Sequence, residues 1–153
     1  MPLEVTHHSS PLKLAIILTL ITMTSGCGLG ISTGGSSSSV NNAPIPSGTL
    51  LVQGTLQPLS GLSGVTGSAA IYGSSGSYTL HFAGLNIPSQ TGGMTITVFY
   101  NSGGSSHTTS MPLNFTTGNQ NYSVSAPVGA IFTQVYISST TIPGVQYAYA
   151  PLY

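Results

Sequence analysis

Beyond Gly48 the chain alternates apolar and polar positions with a period of two. Tyr78, Leu80 and Phe82 interleave with Thr79, His81 and Ala83, and Met94, Ile96, Val98 and Tyr100 interleave with Thr95, Thr97 and Phe99. Successive side chains of a strand point to opposite faces, so this alternation predicts strands with one face in a core. Shorter runs of the same kind lie at 49–56, 68–72, 111–115, 121–126, 131–138 and 145–149. Clusters such as Gly73-Ser74-Ser75-Gly76, Asn101-Ser102-Gly103-Gly104 and Thr117-Gly118-Asn119 separate them and read as turns. No run in this part keeps a helical period. About eight strands at a spacing of roughly ten residues predict an all-β fold, a single antiparallel β-sandwich or barrel.

The pattern before Gly48 is of another kind. A polar stretch from Met1 ends in Lys13, and the run Leu14-Ala15-Ile16-Ile17-Leu18-Thr19-Leu20-Ile21-Thr22-Met23 follows. A helix that spans a bilayer needs about 20 apolar residues, and this run is half that. A cation, a short apolar middle and small residues after it form a secretory signal. The signal closes with Thr24-Ser25-Gly26-Cys27, which resembles the bacterial lipobox, although Leu is commoner in the place of Thr24. The resemblance implies cleavage between Gly26 and Cys27, fatty acylation of Cys27 (palmitate being one such chain) and attachment to a membrane through that lipid. Gly28, where an Asp would retain such a protein at the inner membrane, implies the outer membrane of a cell envelope. Cys27 is the only cysteine and so has no partner for an internal disulfide. His7 and His8 fall in the removed segment.

From Gly28 to Ser47 the composition is Gly, Ser, Asn and Pro, centred on Gly34-Gly35-Ser36-Ser37-Ser38-Ser39, which cannot bury enough apolar surface to order itself. The expected division is a signal peptide over 1–26, a Gly/Ser-rich linker with lipidated Cys27 over 27–47, and a β domain over 48–153.

Charge narrows the function classes. The only charged side chains are Glu4 and Lys13, both ahead of Cys27, so the processed chain would carry none apart from any protonated histidine. Nucleic-acid binding rests on Lys and Arg neutralising phosphates and is excluded. Glycosidases and aspartic proteases need paired carboxylates, and calcium and magnesium sites usually need at least one. With 40% hydrophobic residues the chain is nonetheless built to fold.

The stretch from Gly48 to Tyr153 resembles a divergent DM13 domain. The likeness is carried by Gly67-Ser68-Ala69-Ala70-Ile71-Tyr72, by Ser77-Tyr78-Thr79-Leu80 leading to Leu85, and by Gly92-Gly93 before Ile96-Thr97-Val98. It continues through Gly118-Asn119-Gln120-Asn121-Tyr122, Val135-Tyr136-Ile137 and Ala150-Pro151-Leu152. The resemblance implies a small β module and a part in electron transfer. It also implies a redox-active cysteine just after the Val-Tyr-Ile strand, where this chain has Ser139. A hydroxyl cannot stand in for a thiolate as electron carrier or soft ligand.

The conventional metal ligands left in the domain are His81, His107, Met94 and Met111. Alternation makes His81 a solvent-facing strand residue, His107 falls in a glycine- and serine-rich loop, and the methionines read as core filling. Ser105 and Ser106 beside His107 lack a carboxylate to orient the imidazole, and no G-x-S-x-G elbow occurs. The eight tyrosines fit cross-strand packing better than an exposed aromatic patch for a protein or glycan partner. The expectation is a non-enzymatic, lipid-anchored envelope protein with no cofactor and a structural or interaction domain. The alternative is an electron-transfer module using an unidentified redox metal. Strand edges without charged gatekeepers also open a route to self-association.

Overall fold

The computed structural model describes residues 41–88 and 92–153. Cys27, the signal and the stretch before Asn41 lie outside them. The described chain is all-β, with ten strands: β1 Asn41–Asn42, β2 Thr49–Thr55, β3 Gln57–Pro58, β4 Thr66–Ser74, β5 Ser77–Asn86, β6 Met94–Ser102, β7 Ser105–Pro112, β8 Thr117–Val124, β9 Ile131–Ser139 and β10 Gln146–Pro151. They form two sheets, β1-β8-β5-β4-β2 and β3-β10-β9-β6-β7. Every pairing is antiparallel except the two-residue contact of β1 with β8. The sheets pack face to face as a sandwich and do not close into a barrel, which decides between the two expected architectures.

The period-two pattern explains the core. Tyr78, Leu80, Phe82 and Leu85 of β5 point inward with Ala69 and Ile71 of β4, and meet Ile96 and Val98 of β6 and Val135 and Ile137 of β9. Rings close the gap between the sheets: Tyr78 of the first sheet meets Phe132 of the second edge-on at 4.9 Å, and Phe132 also meets Tyr100 at 5.9 Å. Aromatic pairs prefer such edge-to-face contacts, which add to the gain from buried area. The chain passes between the sheets at Gly54, where an added Cβ would lie 1.8 Å from the Pro151 carbonyl oxygen. Only glycine allows the two backbones so close.

Two local expectations change. Asn101-Ser102-Gly103-Gly104 is a tighter turn than its composition predicts. Ser102 pairs with Ser105, and Gly103 and Gly104 take φ of 59° and 78°, which makes a two-residue hairpin of type I′. The strand expected at 111–115 therefore starts at Ser105, and His107 stands on β7 rather than in a loop. Ser105-Ser106-His107-Thr108-Thr109-Ser110 shows no apolar alternation because an outer strand buries little of either face. Thr117-Gly118-Asn119, expected as a turn, begins β8, and a register shift between Phe82 and Leu85 accommodates it against β5.

The N-terminal boundary also moves. Asn41 and Asn42 pair with Gly118 and Asn119, so the stretch expected as linker up to residue 47 enters the fold at Asn41. β1 and β2 lie at opposite edges of the first sheet, four strand spacings or about 19 Å apart. Residues 43–48 must span that distance nearly fully extended, a conformation that Pro44 and Pro46 favour. Asn121 on the outer face binds the Pro44 carbonyl, so this strap crosses the outside of the sheet.

Candidate functional site

Polar side chains cluster in three places, and each grows out of the strand pattern. The first is the outer face of the first sheet. His81 of β5 lies opposite Ala70 of β4 and Asn121 of β8, on the face away from Leu80 and Phe82. It was expected to face solvent, yet it is only 4% exposed. The reason is its place on the middle strand of five, beneath the crossing strap and beside Tyr72, whose ring meets the imidazole edge-on at 6.2 Å. Asn121 Nδ2 donates to the Pro44 carbonyl at 2.9 Å, which turns Oδ1 toward the imidazole, 2.6 Å from Nδ1. Because Oδ1 can only accept, Nδ1 carries the hydrogen of this bond. Asn121 thus ties the strap to the sheet through a buried histidine.

The second cluster lies in the core where the chain returns from β7 to β8. Gln120, Tyr122 and Val124 alternate inward, so a carboxamide and a phenol occupy core positions. Gln120 Nε2 donates to the carbonyls of Phe115 at 2.8 Å and Thr117 at 3.4 Å, and Oε1 accepts from the Phe115 N–H at 3.2 Å and from the Tyr122 hydroxyl. That hydroxyl accepts in turn from the Asn114 N–H at 3.0 Å. Burial pushes the Tyr122 phenol above its ordinary value of 10.0, and the Asn114 N–H bond opposes the shift. Tyr78 acts in the same way at the β8–β9 connection, donating to the Pro127 carbonyl and accepting from the Gly129 N–H.

The third is the β9–β10 loop. Ser139, where the DM13 resemblance implies a cysteine, uses its hydroxyl to accept from the N–H groups of Thr141 at 3.1 Å and Ile142 at 2.9 Å. It stabilises a turn in the way short hydroxyl side chains do.

The four conventional ligands do not converge. His81 lies on the outer face of the first sheet, while His107, Met94 and Met111 belong to the second. Met94 is buried in the core, and Met111 packs against it from β7. The His107 imidazole stacks on Tyr100 at 5.5 Å and is exposed. Among the described residues no three His, Cys, Asp or Glu side chains lie close enough to hold a metal ion. Ser106, next to His107 in sequence, points to the other face of β7 and donates to Asn101 Oδ1 at 2.9 Å, so the two form no Ser–His pair.

The tyrosines pack mainly on other rings. On the outside of the second sheet Phe99, Tyr136 and Tyr149 touch in a row at 5.4 and 5.8 Å, and Tyr149 donates to Gln57. Tyr136 and Tyr149 stack face to face, so their π-faces meet each other. Tyr153 alone among the tyrosines is largely exposed, at 82%. Among the described residues, shallow surface depressions lie beside Gln53, Ser68 and Tyr153 and between Leu51, the β4–β5 turn and Val128.

Sequence reasoning missed the Gln120 cluster and the strap. The first left a signal, since a glutamine shares its alternation with Tyr122 and Val124. The second left none, because Pro44 and Asn121 are 77 residues apart. In comparisons with known proteins, no family model, no curated protein and no solved structure matches this chain.

Proposed function

We propose that this chain is a lipid-anchored protein of the cell envelope, held through Cys27 at the outer membrane, whose β-sandwich is a non-catalytic interaction module. The observation that carries the non-catalytic part is how the domain uses its polar side chains. Gln120, Tyr122, Tyr78, His81, Asn121 and Ser139 each bond a backbone group or another side chain that holds a strap, a turn or a sheet-to-sheet connection. Among the described residues no buried side-chain nitrogen or oxygen lacks a partner. Active sites keep polar groups under-bonded or aimed into a cleft for a substrate to complete. The lipobox-like Thr24-Ser25-Gly26-Cys27 carries the anchor part.

The reading is tested on wild-type protein and Cys27→Ser, each produced with its signal and recovered from cell fractions. Wild type is expected in the outer-membrane fraction, with fatty acyl mass on an N-terminal peptide that begins at Cys27. Cys27→Ser should lose both. Metal analysis and oxidised-minus-reduced absorption spectra of the same wild-type sample are expected to be featureless. A stoichiometric metal or a redox-dependent band would replace this reading with the DM13-like electron-transfer alternative.

A further inference from the structure

Each sheet ends in two outer strands, whose unpaired backbone groups are a template for another strand. Among the described residues three of these four edges are short, broken or partly covered by the chain itself. β1 runs along β8, where the Ala43 N–H donates to the Asn119 carbonyl at 3.0 Å. β3 runs along β10, where the Leu59 N–H donates to the Tyr147 carbonyl at 2.9 Å. β2 exchanges two bonds of 3.2 Å between Gln53 and Tyr153, and a register shift between Leu50 and Val52 breaks its line. Among the described residues β7 is the last strand of its sheet and has no strand along its outer side. It is also regular, pairing with β6 from Ser102↔Ser105 to Thr95↔Pro112 without a shift.

The hairpin settles which backbone groups of β7 are free. Ser102 and Ser105 flank a two-residue turn and so form a hydrogen-bonded pair, and such pairs alternate along an antiparallel ladder. The odd-numbered residues of β7 therefore bond inward to β6, and the Leu113 N–H continues the series by donating to the Met94 carbonyl at 2.9 Å. The even-numbered residues point their backbone groups outward. Ser106, Thr108 and Ser110 each offer an N–H and a carbonyl, and Pro112 offers only a carbonyl.

We propose that two copies of this chain join through β7, edge to edge and antiparallel, about a two-fold axis at Thr108. With that axis Ser106 lies opposite Ser110 of the second copy, Thr108 opposite Thr108, and Ser110 opposite Ser106. All three outward N–H groups of each copy then find a carbonyl, which gives six bonds. An axis at Ser110 or Thr109 would set Pro112, which has a ring in place of an outward N–H, opposite Thr108 or Ser106 of the second copy, and an axis at Ser106 or His107 would run past Ser105 into the turn. An axis midway between two residues would present groups already used by β6. The side chains match as well, because this register makes Ser–Ser, Thr–Thr and His–Thr neighbours and hydroxyl pairs across strands are favourable. Natural edges resist such pairing with charged side chains, and this chain has none beyond Lys13. A two-fold contact needs a self-complementary strand, and Ser106-His107-Thr108-Thr109-Ser110 is one. Strand geometry alone sets this pairing, whether or not Cys27 carries a lipid.

The test is disulfide trapping of the full chain in intact producing cells, with wild type, whose only cysteine is Cys27, as baseline. In Thr108→Cys the two Cα atoms would be about 5.5 Å apart across a hydrogen-bonded pair, within the roughly 4.4–6.8 Å that a disulfide spans. Mild oxidation should give a dimer of Thr108→Cys but only baseline dimer of Thr49→Cys on the β2 edge. Adding Ser110→Pro to Thr108→Cys removes one outward N–H per copy, two of the six bonds, and should weaken pairing about tenfold. Adding Ser110→Lys instead places a charge at the contact and should lower the yield as well. Both leave the backbone bonds to β6 intact and remove only the exposed hydroxyl bond of Ser110 to Thr97 at 3.1 Å, so unchanged circular dichroism separates lost pairing from lost folding. Equal trapping of Thr49→Cys and Thr108→Cys would overturn the proposal, as would yields indifferent to both Ser110 changes. A cross-linked product whose mass shows a different protein would overturn it too.

Discussion

Gln120→Leu gives the sharpest test of how this uncharged sandwich is held together. Leucine nearly conserves volume and suits a position 1% exposed, so no large cavity opens and the cost is almost purely polar. Three groups lose a bond of good length: the Phe115 N–H, the Phe115 carbonyl and the Tyr122 hydroxyl. The fourth bond, to Thr117 at 3.4 Å, is too long to weigh much. Stranding a partly buried polar group costs about 1 kcal/mol at the low end of its range, so the sum is about 3 kcal/mol, and transfer of the apolar leucine returns a small part. For a domain of this size that lowers the thermal midpoint by roughly 10–15 °C. Guanidinium unfolding followed by circular dichroism and tyrosine emission reads it, since the chain has no tryptophan to mask the tyrosines. Tyr122→Phe should cost about 1 kcal/mol, and the double variant should fall short of the sum by about 1 kcal/mol because one bond is shared. A loss under 1 kcal/mol for Gln120→Leu, or strict additivity, would refute the claim that these side chains act as one network.

Four further outcomes follow from the same structure. Gly54→Ala should destabilise the domain by more than about 3 kcal/mol or abolish folding, because the added Cβ meets the Pro151 carbonyl rather than a movable side chain; soluble yield and unfolding midpoint report it. The Tyr122 phenol titrates higher folded than unfolded, so its contribution is complete below pH 10.0 and is lost as pH rises through the folded value. Alkaline unfolding curves of Tyr122→Phe should therefore fall less steeply above that pH than those of wild type. Asn121→Ala removes the bond to the strap and strands the His81 Nδ1–H, at about 1–2 kcal/mol, and hydrogen exchange at the Ala43 amide should accelerate. With no Asp or Glu after Glu4, the urea midpoint of the processed chain should stay level between pH 4 and 2, and a steep decline there would refute that reading.

Much of the fold was legible because alternation is a local property. Strands β2, β4, β5, β6, β9 and β10 follow from which residues are apolar, and the inward sets of β5 and β6 follow from parity alone. Where a strand buries little, as in β7, parity has few apolar residues to mark it, so the expected strand at 111–115 met only its end, and the Gly103-Gly104 turn locates the rest. The lipobox-like Thr24-Ser25-Gly26-Cys27 can be proposed from sequence for another reason, since a processing signal is read as a linear peptide and needs no fold.

Sequence alone thus determined the all-β class, the core positions, the uncharged surface and the exclusion of chemistries that need carboxylates or cations. Tertiary structure decided what depends on residues distant in the chain. It made a sandwich of strands that could have closed a barrel, and it buried His81 under a strap. It spent Ser139 on a turn and Gln120 on a sheet crossing, and among the described residues it left β7 as a long regular edge while the other edges are short, broken or partly covered. The physical reason is that alternation states which side of its own strand a residue faces. What covers that side, and whether the strand has a neighbour, depend on the order of strands in the sheet, and period-two alternation does not encode that order.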